Sequence, residues 1–280
     1  MNNNLKPKFI CIGAQKAGTT WLHRNLNQHP QVWLHPAKEI HYFDELFLKE
    51  KFIQKDRLIL LKNLLDNQVE SSNVNYEKLK LFSEFALSHP KDDEWYLSLF
   101  QNMDKDCIAG DITPSYSALP EVGVQHMQQL LGNEVKILYI MRNPIKRVWS
   151  QLVMNKRQEI QNNQEVTTEE WLRLINSQST KNRSDYKKTI EIYEKYFSSE
   201  QILYLFYDDI CLNPMTFLKT VCHYLDIDYK EQYFNANVEK VYNSNPKTQI
   251  PNEIGEILKK KYKDQELWIR QKFNLENFSL

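Results

Sequence analysis

Glycine is scarce in this chain, with only 6 among 280 residues, so the places where it does occur carry weight. Long apolar runs are missing as well. A membrane-spanning helix needs about 18 or more consecutive apolar residues, and no such stretch exists. The opening segment Met1–Pro7 has no apolar core of signal-peptide length, which points to the cytoplasm. Neither sign of charge is in excess: 36 basic residues balance 36 acidic ones, and the sequence pI is near 7.0. That balance argues against a broad nucleic-acid-binding face and leaves room for a local basic pocket, so the expected partner is a small molecule. The four cysteines, Cys11, Cys107, Cys211 and Cys222, form no C-x-x-C pair and are too scattered for a zinc knuckle. Three lie in or beside apolar runs and read as reduced core residues. The seven histidines contain no H-E-x-x-H, so no metal is expected.

What is present suffices for one core. The chain is 41% hydrophobic and shows no disorder signature, which predicts a single domain over 1–280. An apolar run at Phe9–Ile12 leads through a glycine-containing loop into a helix from about Thr20, and later apolar runs are again followed by helical periodicity. That alternation predicts an α/β fold with a central, mostly parallel sheet flanked by helices. Ile137–Met141 and Ile202–Phe206 read as its clearest central strands. Each is followed by a helix start, Asn143-Pro144 and Asn213-Pro214, with asparagine as N-cap and proline at the first helical position, so the two corners are expected to be built alike. The leucine-rich, charged segment at about 45–93 reads as a helical insertion. Further helices are expected at about Arg183–Phe197 and Asn252–Lys272.

Two of the six glycines fall in Gly13-Ala14-Gln15-Lys16-Ala17-Gly18-Thr19-Thr20, after a strand and before a helix. Exposed N–H groups leading into a helix N-terminus favour an anion. The spacing resembles the nucleotide loop G-x-x-x-x-G-K-[ST], but Thr19 holds the lysine position and Lys16 lies inside the loop. The later strand runs into Arg142 where a magnesium-binding aspartate would stand. A sulfuryl group carries less negative charge than a terminal phosphoryl, so an ammonium could stabilise a leaving phosphate without a metal. The second motif is Arg142-Asn143-Pro144-Ile145-Lys146-Arg147-Val148-Trp149-Ser150. Arg142 lies at the carboxyl end of a strand, where ligands bind in open α/β sheets, and Ser150 follows two turns into the helix near the face of Lys146 and Arg147. An arginine fork and a serine hydroxyl suit a phosphate monoester.

Together these motifs resemble the sulfotransferases that use 3′-phosphoadenosine-5′-phosphosulfate (PAPS). Lys16-Ala17-Gly18-Thr19-Thr20-Trp21 is similar to that family's 5′-phosphosulfate loop, and Arg142 with Ser150 to its 3′-phosphate site. Ile202–Asp209 followed by Asn213-Pro214 is similar to its later strand and helix. The resemblance runs from about Lys8 to Leu225. It implies a P-loop-like sulfotransferase fold, PAPS as donor, adenosine 3′,5′-bisphosphate (PAP) as product and adenine contacts from Trp21 and Tyr207. Lys247 would carry over from the family's late cofactor loop, although Val241–Lys247 lacks the usual lysine-glycine-arginine cluster.

Lys38-Glu39-Ile40-His41-Tyr42-Phe43-Asp44 alternates like a strand, which would set Glu39 and His41 on one face. It resembles the K-E-x-H-F-F-D segment of the carbohydrate-modifying and bacterial branches, where the glutamate is the expected general base. Glu39 is the first choice and His41 the second. Gly110–Tyr116 resembles a G-E-K-T-P-S-Y stretch in which Ile112 replaces the lysine, and that weakens the case for a polyanionic polysaccharide. The expected activity is sulfuryl transfer to a hydroxyl or amine of a small acceptor, such as a cytoplasmic metabolite, lipid precursor or natural-product intermediate. The open alternatives are sulfation of a carbohydrate or lipid-linked sugar, a small-molecule kinase, and a non-catalytic nucleotide-binding module.

Overall fold

The computed structural model describes residues 6–48, 53–71, 74–89, 91–104, 106–234, 238 and 248–275. Its centre is a five-stranded parallel sheet of β1 (Phe9–Gly13), β2 (Val32–Leu34), β3 (Ile108–Ile112), β4 (Lys136–Met141) and β5 (Ile202–Phe206), in the order β2-β3-β1-β4-β5. The first strand therefore sits in the middle, with connections leaving it in both directions. Crevices at the carboxyl ends of such strands are where open α/β sheets bind ligands.

β1 is apolar throughout, and β4 is apolar after Lys136, because both faces of the sheet are covered there. Ile137 through Met141 are each at most 1% exposed, and burial stabilises a side chain of this size by roughly 1.5–3 kcal/mol. Arg142 is thus carried at the end of a rigid platform. Register is fixed partly by size. Phe9 pairs with Gly110 across β1 and β3, and the Phe9 ring fills the space that a Cβ at Gly110 would need.

Helix α1 (Thr19–Leu26) follows β1. Between β2 and β3 the chain forms α2 (Tyr42–Leu48), α3 (Ile53–Ser71), α4 (Tyr76–Leu87) and α5 (Asp93–Ser98). This segment is not a loose appendage, since Phe82, Phe85, Trp95 and Tyr96 join the main core. A 3-10 turn at Pro114–Ala118 precedes α6 (Glu121–Leu131). Then come α7 (Pro144–Asn155), α8 (Arg157–Gln161), α9 (Thr168–Asn176), α10 (Gln178–Ser184), α11 (Tyr186–Tyr196), α12 (Tyr207–Leu212), α13 (Pro214–Tyr224) and α14 (Asn252–Phe273). Among the described residues no helix is long and apolar enough to cross a membrane.

Three expectations need correction. Ile202–Phe206 is a strand but an edge one, with a partly exposed burial pattern, and Phe273 of α14 packs on its Tyr204 and Phe206. The two strand-to-helix corners also differ. Asn143 caps α7 directly after β4, accepting from the N–H groups of Ile145 at 3.0 Å and Lys146 at 3.2 Å, whereas α12 intervenes between β5 and the Asn213 cap of α13. Of the cysteines, all free, only Cys11 and Cys222 are buried, while Cys107 is half-buried and Cys211 exposed.

Candidate functional site

The loop after β1 turns sharply. Gly13, Lys16 and Gly18 all have positive φ, at 146°, 70° and 90°. Gly18 is the N-cap of α1 and makes no side-chain cap, an arrangement in which a helix N-terminus suits an anion. A Cβ at Gly18 would lie 2.8 Å from Ile210 Cδ1 and 3.2 Å from Tyr207 Cδ2, both on α12. The backbone can approach α12 this closely only because the residue is glycine.

The structure brings the two anion motifs together. Arg142 Nη1 donates to the backbone carbonyl of Lys16 at 2.9 Å, and its guanidinium lies 4.4 Å from the centre of the Tyr207 ring. Tyr207 is therefore wedged between Gly18 and Arg142 and backs the cradle. Arg142 Nε is buried without a partner, a donor that an anion could take up. The Lys16 pKa is lowered, by burial first and then by Arg142 and Arg157, so three cations converge here. Crowded cations beside an uncapped helix end fit a nucleotide with two anionic ends, such as PAPS. Ala17 and Thr19 are buried in the loop, Thr20 is half-buried in the first turn of α1, and Ser150 is half-buried on α7.

Of the other motif residues, Arg147 and Trp21 are engaged inside the protein. Arg147 is fully buried away from the cradle, donating to Gln151 Oε1 at 2.9 Å and Ser184 Oγ at 2.5 Å. Trp21 is 6% exposed, its indole N–H donates to the Val238 carbonyl and its ring packs edge-on against Phe217. Lys247 falls outside the described residues.

The expected strand over Lys38–Asp44 is not formed. Glu39 and His41 have φ of 66° and 56°, so the chain turns at alternate residues before α2 begins at Tyr42. Positive φ is uncommon outside glycine and persists only where surroundings hold it. Here the Ile40 N–H donates to Thr113 Oγ1 at 2.9 Å and the Tyr42 N–H to Tyr116 Oη at 3.1 Å. Both hydroxyls donate onward to Asp111, at 2.7 and 2.9 Å, and Tyr96 adds a third bond at 3.1 Å. Burial raises the Asp111 pKa and these hydroxyls lower it, with a net rise to about 6.

Glu39 and His41 still meet, with His41 Nε2 3.4 Å from Glu39 Oε2. His41 Nδ1 contacts Asp44 Oδ2 at 2.7 Å, and Lys38 pairs with the other Glu39 oxygen. Burial opposes ionisation at both groups, but the pairing wins. It holds Glu39 down at about 2 and raises His41 to about 10. Near neutral pH the glutamate is a carboxylate and the histidine an imidazolium, which leaves only Glu39 able to accept a proton. Glu39, Lys38 and His23 line a small recess near the carboxyl edge of the sheet. His23, one turn into α1, is held neutral with its pKa lowered to about 4 by burial and then by Lys38, and its Nε2 is buried without a hydrogen-bond partner.

Asp44, Asp111 and His23 were not singled out from the sequence. The signal for the first two was present in the motifs, as the aspartate three residues after His41 and as an acidic strand end followed by Thr113 and Tyr116. His23 had no signal, because a histidine within an amphipathic helix is unremarkable until its neighbours are known. Among the described residues no group of three or more His, Cys, Asp or Glu side chains could hold a metal ion.

Fold and site define an α/β protein with a glycine-framed strand-to-helix loop, where cations gather, and a carboxylate turn near the same sheet edge. The chain belongs to the sulfotransferase domain family, which it matches over residues 6–273. Its fold is similar to that of a sulfotransferase from Alicyclobacillus acidocaldarius, with a TM-score of 0.65, 19% identity and 97% of each chain covered. It is also similar to the sulfotransferase domain of the Synechococcus PCC 7002 olefin synthase, with a TM-score of 0.53, 17% identity, and 91% of this chain and 88% of that one covered. A curated relative, the membrane-associated sulfotransferase kil1 of Dictyostelium discoideum, is 25% identical over 148 residues. That match takes in 52% of this chain and only 22% of the relative's length.

Proposed function

We propose that the protein transfers a sulfuryl group from PAPS to a hydroxyl or amine of a small-molecule acceptor and releases PAP. The observation that carries this reading is the bond from Arg142 to the Lys16 carbonyl, which joins the strand-end arginine to the anion loop in one cradle. In this reading Lys16 and the open end of α1 hold the 5′-phosphosulfate, and Arg142 with Ser150 holds the 3′-phosphate. Tyr207 supports both from beneath.

The acceptor enters the recess beside Glu39. Its hydroxyl displaces Lys38 from the carboxylate and gives up its proton there as the new oxygen–sulfur bond forms. The bond from sulfur to the bridging phosphate oxygen breaks in line, and the charge left on that oxygen meets Lys16. His41, kept charged by Asp44, orients Glu39 and is not itself the base. Transfer is direct, because the loop offers no histidine or cysteine nucleophile beside Lys16.

The experiment is incubation with radiolabelled PAPS and fractionated metabolites, together with thermal shift by PAP in the absence of magnesium. Labelled product and strong stabilisation by PAP are expected. Stabilisation by ATP with magnesium, but not by PAP, would replace this reading with a kinase. Stabilisation by PAP with no transfer to any fraction would leave a nucleotide-binding module.

A further inference from the structure

Arg57 lies on α3, in the segment inserted between β2 and β3, and is only 2% exposed. Burying a guanidinium that deeply is costly unless its donors are engaged, and here both Nη groups are, while Nε has no partner. Nη2 donates to the backbone carbonyls of Ile40 at 3.0 Å and His41 at 3.2 Å. Nη1 donates to Glu45 Oε2 at 2.5 Å. The guanidinium carbon sits 5.2 Å from the ring centre of Phe85 and 5.1 Å from that of Trp95, on α4 and α5.

The two carbonyls belong to the turn that carries Glu39. From the other side, the N–H groups of Ile40 and Tyr42 are held by Thr113 and Tyr116, which bond to Asp111. Ile40 thus has its N–H fixed from the sheet side and its C=O fixed from the insertion. We infer that Arg57 is a positioning residue, which locks this positive-φ turn so that Glu39 is presented to the acceptor in one geometry. The inference rests on the reading of Glu39 as base. It makes the inserted helices part of the catalytic apparatus and not merely a cover. A lysine could not substitute, because one ammonium lacks the planar fork that reaches two carbonyls and a carboxylate together.

The test variant is Arg57→Met, which keeps an apolar stem between the two rings and removes every donor. The readout independent of any acceptor is [¹⁵N]histidine NMR of the full chain with PAP bound, with the His41 resonance assigned by its loss in His41→Gln. His41 has Glu39 and Asp44 in contact, Asp111 beyond them, Lys38 on Glu39 and Arg57 on its own carbonyl. If the turn keeps its shape, deleting the Arg57 cation can only raise the His41 pKa. If the turn loosens, His41 loses Glu39 and its pKa falls. The expected result is a fall of at least about one unit, with a PAP affinity within about twofold of wild type and turnover reduced about tenfold or more. Arg57→Lys should show the same sign, and Glu45→Gln a smaller shift of the same sign. If Arg57→Met does not fold, those two variants decide.

An unchanged or raised His41 pKa overturns the inference. So does wild-type turnover in a folded Arg57 variant while Glu39→Gln is inactive, and that outcome leaves the base assignment intact. The converse, normal turnover in Glu39→Gln, removes the base reading, and the NMR result then judges the clamp alone.

Discussion

Arg142 donates to the carbonyl of Lys16 across 2.9 Å, so the residue that would hold the 3′-phosphate also shapes the loop that would hold the 5′-phosphosulfate. A charged hydrogen bond is worth about 1.5–3 kcal/mol, which corresponds to roughly 10–150-fold in affinity. Arg142→Ala should therefore weaken PAP by that order in calorimetry. Adenosine 5′-phosphosulfate, which has no 3′-phosphate, should lose much less, and its loss isolates the effect on the loop. Equal losses for both ligands would remove the 3′-phosphate from Arg142.

Gly18→Ala should damage the cradle without touching any charge. Its φ of 90° disfavours a side chain, and the new Cβ would meet Ile210 Cδ1 at 2.8 Å. Together these effects cost on the order of 1–3 kcal/mol, visible as a lowered Tm and weakened PAP binding. Gly255→Ala on α14 is the matched control, since its Cβ would meet nothing closer than Ile250 Cγ2 at 3.7 Å. That change should stabilise by about 0.5–1 kcal/mol. If both variants behave alike, the strain at Gly18 is not real.

The parts of this fold legible in the sequence were those decided locally. The β1 loop, the apolar run of β4 and the Asn143-Pro144 cap each follow from a short pattern that neighbours do not override. Most of the failures involve long-range contacts. Lys38–Asp44 alternates like a strand, but its N–H groups bond to the side chains of Thr113 and Tyr116, more than seventy residues away. Ile202–Phe206 reads as central by composition, yet strand order depends on which neighbours cover it. The Glu39 and His41 pair was visible as two residues, but which of them is charged depends on Asp44 and Lys38, and no spacing rule supplies that.

The pairing at the turn also makes a statement about pH. His41 is raised to about 10, so its contribution to stability is full below the ordinary value near 6.5 and is lost as pH rises through about 10. Glu39 is depressed to about 2, so its contribution is present above its ordinary 4.5 and is lost as pH falls toward 2. Asp111 runs the other way, since its raised pKa favours the fold only in acid and that benefit fades as pH passes about 6. The Tm difference between wild type and His41→Gln should accordingly shrink from pH 7 to pH 10. Turnover should show no inflection near 6.5. A rise in rate centred there would mean that a histidine with an ordinary pKa is titrating in the reaction.

The last prediction separates Lys16 from Glu39, and it follows from where charge moves. The acceptor proton must leave while negative charge gathers on the departing phosphate oxygen, so two groups are needed. Lys16 stands in the anion loop with its carbonyl tied to Arg142, and Glu39 stands on the turn beyond β2. Glu39→Gln keeps the shape of the side chain and removes its basicity. PAP affinity should stay near wild type while turnover falls by about 10²-fold or more. Lys16→Ala should impair both, because the same ammonium holds the donor before reaction and meets the leaving oxygen during it. Removing such a preorganised donor costs on the order of 10²–10³ in turnover. The measurement is PAP affinity by calorimetry beside single-turnover rates for both variants. If Glu39→Gln turns over normally and His41→Ala is inactive, proton removal passes to His41, and the imidazolium held between Glu39 and Asp44 must then open before each transfer.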